Sequence, residues 1–392
     1  MEKVAILKQH GYNLAEIKNK VEMSITSLGG FEKLFRKNSR ILLKPNVLAG
    51  FAPESCVTTN PVFLQAVIEY FQENGCKVFV GDSPAITGLK GALIKTGMYD
   101  VITKTGAEVV EFKVSKSITI SEEFLFKKLE LASEIFEYDH IVNLPKLKTH
   151  SMMLMTLAVK NLFGCVVGKQ KAGWHLKCGK DYASFANMLV EVASIVGPTL
   201  NIVDGIWGME GNGPSAGTPV HTGVILAGEN PAAVDIAICN LIGLRPEQLL
   251  TNKAAVAIKM IEDYNDIEYT FQTPFKLQVK NFDLPKTGFM EGYGLSGSDD
   301  DTTMSKIKGK VVKTILQQAE NLMTTKPYVK HDECTLCQQC ANICPPGIIT
   351  EVNKKIVIDY EKCIRCYCCH EVCPEHAMDI QESFLKRYLN VG

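Results

Sequence analysis

A cysteine pattern that occurs twice near the carboxyl end constrains this chain more than any other feature of its sequence. The runs CTLCQQCANICP and CIRCYCCHEVCP both contain C-x2-C-x2-C-x3-C-P, and the second starts 29 residues after the first. Thiolates bridge well to iron, and this short spacing lets one tight loop direct three sulfurs to one cubane. The fourth cysteine of each run belongs to the cluster of the other run. The duplication therefore predicts two [4Fe-4S] sites in a small separate domain.

The crossed pattern assigns eight cysteines to two clusters. We expect cluster one to be held by Cys334, Cys337, Cys340 and Cys373, and cluster two by Cys363, Cys366, Cys369 and Cys344. Cys368 is left over and is expected to be a packed thiol. A structural zinc site is the alternative for any C-x2-C motif, but eight cysteines in crossed register disfavour it. This segment resembles the two-cluster bacterial ferredoxins over its whole length, which implies two clusters that pass single low-potential electrons.

Composition and charge exclude several classes of function for the rest of the chain. The 392 residues fit two or three domains, and 46% hydrophobic and 22% charged residues are ordinary for a soluble globular protein. A formal net charge of −1 gives no overall field toward nucleic acid or membranes. No apolar run is long enough to predict a transmembrane helix, and the amino terminus lacks a signal-peptide pattern. We therefore expect a cytoplasmic protein whose cysteines ligate metal, and oxygen-labile clusters suggest an anaerobic setting.

Residues 1–325 alternate apolar runs with amphipathic segments, a pattern typical of an α/β domain. KVAILK, RILLKP, CKVFVGD, HIVNLP, LNIVDG and TGVILAG predict strands, whereas NPVFLQAVIEYFQENG and NPAAVDIAICNLIG predict helices. Such alternation predicts a mostly parallel sheet covered by helices. We expect a hairpin insertion in residues 113–135, a loop or lid in residues 283–305, and a small α+β ferredoxin-like domain in residues 326–392.

Polar side chains gather where the predicted strands end, an edge of the sheet that we call the rim. They are Lys44, Asn46, Asp82, Lys146, Lys148, His150 and Asp204. Ligands of open α/β sheets bind beyond the carboxyl ends of the strands. Each residue alone has a simpler explanation, such as a helix cap or a solvated cation. Together they predict a binding site, and its lysines favour an anionic small molecule.

The segment MTLAVKNLFGCVVGKQKAGWH and the loop GIWGMEGNGPSAG add further candidates. Lys160 and Asn161 interrupt an apolar run that predicts a helix, and Glu210 lies in the glycine-rich loop next to the rim. The loop has neither a GxGxxG nor a P-loop pattern, so nucleotide binding is not supported. We predict Lys146, Lys148, His150, Lys160 and His175 as catalytic, and Lys44, Asn46, Asp82, Asn161, Asp204 and Glu210 as cofactor- or ligand-binding. For either histidine a structural, hydrogen-bonded role is the alternative.

Several motifs occur in an order that resembles the domain of unknown function 362 family. They are LLKPN, TTNP, VGDSP, PKLKTH, VKNLFG, DGIWGMEGNGP and NPAAVD, and the resemblance spans roughly residues 1–300. Members of that family often carry a carboxyl-terminal two-cluster ferredoxin segment, as this chain does. The resemblance implies that the rim residues group as site candidates with Lys160, Asn161, Glu210 and Asp235. It assigns no reaction to them.

Three functions remain open from the sequence. Fusion of the two segments favours an oxidoreductase that takes electrons from a soluble donor protein and passes them to an anionic substrate or cofactor on the rim. An electron carrier or scaffold that docks onto a larger redox complex is the second. A maturation factor for a metal cofactor is the third, in which Cys165, Cys178, His150 and His175 would matter more than the lysines. The sequence fixes neither an additional carrier such as a flavin nor the oligomeric state.

Overall fold

A ten-stranded sheet organises the amino-terminal part of the chain in the computed structural model. The structure describes residues 1–84, 88–120, 124–168, 170–285 and 325–381. The strands of all sheets in these residues are β1 (Glu2–Lys8), β2 (Arg40–Pro45), β3 (Lys77–Asp82), β4 (Glu108–Glu111), β5 (Ser115–Thr119), β6 (Lys128–Ala132), β7 (His140–Leu144), β8 (Lys146–His150), β9 (Leu154–Thr156), β10 (Leu200–Glu210), β11 (Thr218–Gly228), β12 (Ile267–Phe271), β13 (Lys326–Val329), β14 (Ile349–Val352), β15 (Lys355–Ile358) and β16 (Met378–Gln381).

The order of the large sheet is β12-β1-β11-β10-β7-β2-β3-β4, with β8 beside β10 and β9 beside β8. Neighbours are parallel except where β11 pairs with β1 and β10, and where β8 pairs with β9. The expected mostly parallel sheet is therefore confirmed. β3 and β7 lie on opposite sides of β2, so the order of the chain reverses there. A reversal of this kind opens a crevice at the carboxyl ends of the strands.

Helices cover both faces of the sheet. They are α1 (Leu14–Ser27), α2 (Phe31–Leu34), α3 (Pro61–Glu73), α4 (Leu89–Lys95), α5 (Met98–Thr105), α6 (Ala158–Asn161), α7 (Gln170–Cys178), α8 (Tyr182–Val196), α9 (Pro231–Leu241), α10 (Leu250–Ala257), α11 (Gln339–Ile343) and α12 (Cys368–Glu371). Asn60 and Asn230 cap α3 and α9 through their side chains, and a proline follows each at the first helical position. α1 and α3 pack in one apolar core, whereas α8 and α9 pack in the other. None of the helices in the described residues has the length and apolarity needed to cross a membrane.

Two expectations about local structure were wrong. The run MMLMTLAVKNLFG is strand β9 followed by the short helix α6 and a 3-10 turn, Leu162–Cys165, rather than one helix. The glycine-rich segment after Asp204 continues strand β10 to Glu210, with a bulge between Gly205 and Trp207. The reason is pairing, because β8 and β11 flank this part of β10 and satisfy its backbone.

Residues 115–132 contain a two-stranded antiparallel sheet, β5 and β6, separate from the large sheet. The loop or lid expected in residues 283–305 lies, from residue 286 onward, outside the described residues.

The carboxyl-terminal residues 325–381, here called the cluster module, fold as two short antiparallel pairs with α11 and α12 between them. β13 pairs with β16, and β14 pairs with β15. The module packs directly on the α/β domain (residues 1–285). Cys366, Tyr367 and Cys368 belong to the same apolar cluster as α8, and Tyr367 is only 1% exposed. The hydroxyl of Tyr182 donates to the carbonyl of Arg365 at 2.9 Å. The second cysteine run is therefore part of the main core.

Candidate functional site

A cavity of about 100 Å³ lies between the rim and the second cysteine run. Eight of the predicted site residues line it: Lys44, Asn46, Asp82, Lys148, His150, Lys160, Asn161 and His175. The opposite wall comes from the cluster module, through Ile343, Cys368, Glu371 and Val372. Two of these residues precede predicted cluster-two ligands, because Ile343 precedes Cys344 and Cys368 precedes Cys369. The cavity thus adjoins the segments expected to hold cluster two.

The inner end of the cavity holds a tightly paired set of charges. Nζ of Lys44 lies 2.9 Å from Oδ1 of Asp82, and both side chains are buried. A Cβ at Gly164 would overlap this pair, so the close approach of the backbone there requires glycine. Lys171, which the sequence analysis did not select, donates to the carbonyls of Ser83 and Val166 at 2.7 and 2.6 Å. These cations are hydrogen-bonded by the protein itself.

The polar side chains of the cavity that lie near Glu371 of the cluster module have fewer hydrogen-bond partners. Nζ of Lys148 donates to the Val57 carbonyl at 2.6 Å. Lys160 lies 5.8 Å from the centre of the Phe163 ring, and no acceptor for its ammonium occurs among the described residues. Nε2 of His150 is 3.0 Å from Oε1 of Glu371, but the two atoms lack hydrogen-bond alignment. Buried polar atoms left without partners normally have a bound molecule or water to satisfy them.

The hydrogen bonds of His150 define its tautomer. Its Nδ1 accepts from the backbone amides of Met152 and Met153 at 3.0 and 3.3 Å, so the ring proton sits on Nε2, facing Glu371. His175 stacks on Phe185 with ring centres 4.4 Å apart, and its Nδ1 has no partner in the described residues. Both rings are held firmly in the wall of the cavity.

Burial is the largest influence on the pKa values of the lysines and histidines in the cavity wall. It lowers the pKa of Lys148 to about 7, which Glu371 only partly opposes, and it also lowers the pKa of Lys160. Burial lowers the pKa of His150 to about 4 and that of His175 to about 3, so both rings are neutral near pH 7. Burial alone would raise the pKa of Glu371, but the contact with His150 and the charge of Lys160 outweigh it and bring that pKa to about 2.

Three predicted site residues lie away from the cavity. Lys146 and Asp204 form a separate buried pair, with Nζ and Oδ2 2.8 Å apart. The hydroxyl of Tyr12 contacts both partners, at 2.8 and 2.9 Å. Glu210 accepts from the backbone amide of Asp283 at 3.0 Å. Asp235, grouped with the rim by family resemblance, accepts from the first two amides of α6 and fixes the start of that helix.

Glu371 is the main residue that the sequence analysis missed. A comparison of the two cysteine repeats contains a signal for it, because Asn342 of the first run corresponds to Glu371 of the second. The partner of this carboxylate is His150 of the α/β domain. The sequence alone does not reveal that partner.

The proximity of the module's cysteines is compatible with the two predicted sets. Cys334, Cys337, Cys340 and Cys373 line one small cavity. Burial raises the pKa of Cys369, and the nearby thiols of Cys366, Cys363 and Cys344, together with Cys340 of the other set, add to this effect. The described residues contain no group of three or more His, Cys, Asp or Glu spaced around a single metal ion. A [4Fe-4S] cluster requires four thiolate ligands, and the eight cysteines of the two runs are the right chemical type and number for such a cofactor.

Comparison with known families agrees with this division of the chain. Residues 41–240 match the family described as a domain of unknown function, DUF362, and residues 326–374 match a 4Fe-4S dicluster domain. The chain belongs to the DUF362 family. Its carboxyl-terminal module is an iron–sulfur domain of the 4Fe-4S type.

Two individual proteins give further comparison with this DUF362 chain. It is 35% identical over 295 residues to the thylakoid-associated protein sll1697 of Synechocystis sp., which covers 75% of this chain and 91% of that protein. The lactate racemase apoprotein from Thermoanaerobacterium thermosaccharolyticum overlaps with a TM-score of 0.39 at 11% identity, over 59% of this chain and 55% of that chain. The chain thus spans about half of the racemase, and a likeness this weak carries no argument.

The buried pair of Lys146 and Asp204 gives a stability prediction. Replacing Lys146 by Met leaves a buried carboxylate without its cation, so we expect a loss of about 3–5 kcal/mol in the free energy of unfolding. Adding Asp204→Asn should recover much of that loss. Lys3→Met is the control, because its ion pair with Glu268 is exposed and is expected to contribute less than about 1 kcal/mol. Urea unfolding followed by tryptophan fluorescence, which reports on the α/β domain, measures all three variants. A loss at Lys146 no larger than at Lys3 would contradict the prediction.

Proposed function

We propose that this DUF362 protein is an iron–sulfur oxidoreductase that passes low-potential electrons to a small anionic molecule bound in the cavity at the rim. The observation that carries the proposal is the composition of that cavity. Lysines of the α/β domain form one wall, and the loop of the second cysteine run forms the other. A ligand held there would lie next to cluster two. Because the cluster module is packed on the α/β domain, electron transfer to this ligand would not require a diffusional encounter with a separate carrier protein.

Two bound clusters would supply single electrons, and the exposure of their ligands supports a direction of flow. Cys337 of the first set is exposed, whereas Cys363, Cys366 and Cys369 of the second set are buried. A soluble donor protein would therefore meet cluster one, and cluster two would face the cavity. This arrangement favours an enzyme over a simple carrier, because the α/β domain covers the second cysteine run.

The charges of the cavity favour an anion. Among the described residues that line the cavity, four are lysines (Lys44, Lys148, Lys160 and Lys171) and two are carboxylates (Asp82 and Glu371). At about 4 Å and an effective dielectric constant of 20, one unit charge attracts another by roughly 4 kcal/mol, so the excess of lysines attracts a dianion or carboxylate, most strongly below the Lys148 pKa of about 7. A cavity of about 100 Å³ is smaller than the roughly 300–1,000 Å³ of sites for drug-sized ligands. It suits a molecule of a few heavy atoms rather than a flavin.

Lys148 is our candidate for the proton donor. Its pKa of about 7 is close to the pH of the cytoplasm, where we place the protein, and a general acid works best when its pKa is near the operating pH. Lys160 would hold the anionic group. The neutral ring of His150 would orient Glu371 and close the wall beside cluster two.

The maturation hypothesis receives less support from the thiols that it requires. Burial raises the pKa of Cys165 to about 12 and that of Cys178 to about 11, so both are protonated and poorly reactive at neutral pH. Neither thiol lines the cavity between the domains.

The crossed ligand sets predict different outcomes for Cys366 and Cys368, which only Tyr367 separates in the sequence. Cys366→Ser should remove cluster two and lower the iron content from about eight to about four atoms per chain. Cys368→Ser should leave the iron content unchanged, because Cys368 is not a ligand in the proposed sets. Iron analysis and electron paramagnetic resonance of the dithionite-reduced proteins, purified without oxygen, measure both. Equal loss of iron in the two variants would contradict the assignment.

The oxidoreductase proposal predicts that small organic anions reoxidise the reduced clusters. Native mass spectrometry of anaerobically purified protein, compared with its acid-denatured mass, first identifies any molecule that copurifies. Stopped-flow absorbance then measures reoxidation of dithionite-reduced protein by a panel of small carboxylates. Lys160→Met should slow reoxidation by an effective anion about tenfold or more, because a direct charge contact is lost. Lys18→Met, a surface lysine on α1, is the control.

Reoxidation by a neutral dye should be the same in all three proteins. The proposal fails if the mass corresponds to clusters alone, no anion binds, and only artificial dyes are reduced. A stable protein partner recovered in an anaerobic pull-down would then favour the electron-carrier hypothesis.

Anion binding should weaken as the pH rises from 6 to 9. Burial lowers the pKa of Lys148 to about 7 and that of Lys171 to about 8, so each ammonium is charged below its pKa and neutral above it. The histidines, with pKa values of about 4 and 3, do not change charge in this range. Sulfate is a suitable probe because its own charge is constant there. Calorimetric titration should show a fall in affinity that begins near pH 7 in the wild type and near pH 8 in Lys148→Met. A flat profile in the wild type would contradict the assignment.

A further inference from the structure

Four buried asparagines form a hydrogen-bonded relay that runs from β11 to the cavity. At its far end, Nδ2 of Asn201 donates to the backbone carbonyls of Gly228 and Glu229 at 3.1 and 3.0 Å. Backbone carbonyls only accept, so the amide nitrogen of Asn201 must face them. Its Oδ1 therefore points the other way and accepts from Nδ2 of Asn143 at 2.9 Å. The direction of the whole relay is set at this end.

The next two links transmit that direction to the rim. Nδ2 of Asn143 also donates to the carbonyl of Ala158 at 2.9 Å, which leaves its Oδ1 to accept from Nδ2 of Asn161 at 2.7 Å. Oδ1 of Asn161 in turn accepts from Nδ2 of Asn46 at 2.8 Å. Rotating any one of these amides by half a turn would place donor against donor and acceptor against acceptor. Buried amides do not tolerate such mismatches.

The relay leaves one acceptor directed at the cavity. Oδ1 of Asn46 is buried, lies in the cavity wall, and receives no hydrogen bond from any described residue. Asn46 as a whole is 8% exposed. A second acceptor, Oε1 of Glu371, lies in the same wall and is also without an aligned donor. The cavity therefore combines an excess of cations with carbonyl and carboxylate oxygens that need donors.

We propose that the ligand of this cavity is a small organic anion that carries a hydroxyl or amino hydrogen-bond donor. Its anionic group contacts Lys148 and Lys160, and its hydroxyl or amine donates to Oδ1 of Asn46. This inference rests on the proposed anion site and narrows the class of ligand. Oxoanions without a donor, and carboxylates with only methyl or methylene groups, leave the Asn46 oxygen buried and unsatisfied. The buried hydroxyl of Thr156 can donate or accept, so it does not discriminate between these classes.

Glycolate and propionate test this inference on the complete protein with its clusters. They have the same number of heavy atoms and the same charge, but glycolate has a hydroxyl where propionate has a methyl group. Anaerobic calorimetric titration should give glycolate a dissociation constant about tenfold or more below that of propionate, because propionate leaves a buried acceptor unpaired. Asn46→Ala should weaken glycolate to the level of propionate and leave propionate nearly unchanged. Iron content and circular dichroism verify that the variant is folded.

The outcomes separate this inference from the proposed function. Equal affinities for glycolate and propionate in the wild type overturn the inference and leave the anion site intact. Binding of sulfate without binding of glycolate also overturns it, because the site then takes an oxoanion that has no donor. A preference for glycolate that persists in Asn46→Ala removes Asn46 from the recognition. If glycolate, propionate and sulfate all fail to bind, the proposed anion site itself is wrong.

Discussion

Docking of the second cysteine run onto the core of the α/β domain is the interaction on which the rest of the structure depends. Tyr367 is buried in the apolar cluster that includes α8, and the Tyr182 hydroxyl binds the adjacent backbone at Arg365. A linker alone would allow the cluster module many positions. Shared apolar burial instead gives it one position and closes the rim into a cavity. Lys44 of β2, Lys148 of β8 and residues next to the expected cluster-two ligands then line the same small cavity.

The two buried lysines of β8 show how the surroundings decide between structure and function. Lys146 contacts Asp204 and Tyr12, and this complete set of partners offsets the several kcal/mol that burying a charge costs. Lys148 has a single carbonyl partner, and burial lowers its pKa to about 7. If Lys148 had no function, replacing it by an uncharged residue would make the protein more stable. Lys148 is therefore the better candidate for chemistry, although two positions in one strand separate it from Lys146.

Local sequence patterns were sufficient for the parts of the fold that depend on local rules. Asn-Pro pairs marked the starts of α3 and α9, apolar runs marked the parallel strands, and cysteine spacing defined the cluster module. Long-range pairing was beyond these rules. Lys146, Lys148 and His150 were predicted to follow a strand, but they form a strand of their own because β10 provides a partner 58 residues away from Lys146. Glu371 entered the site for a similar reason, through a contact between domains.

In the proposed function, electrons would reach the cavity from the cluster module and the ligand would be recognised from the sheet. The cluster module contributes redox groups and the single carboxylate Glu371, whereas the sheet contributes cations and the relay that ends at Asn46. A relay of uncharged amides can fix the orientation of an acceptor without adding a negative charge that would repel an anion. An aspartate at position 46 would bind a hydroxyl as well, but it would cancel one of the excess positive charges. Asparagine therefore meets both requirements of the proposed site, since it accepts a hydrogen bond from the ligand while the lysines keep their attraction for the anion.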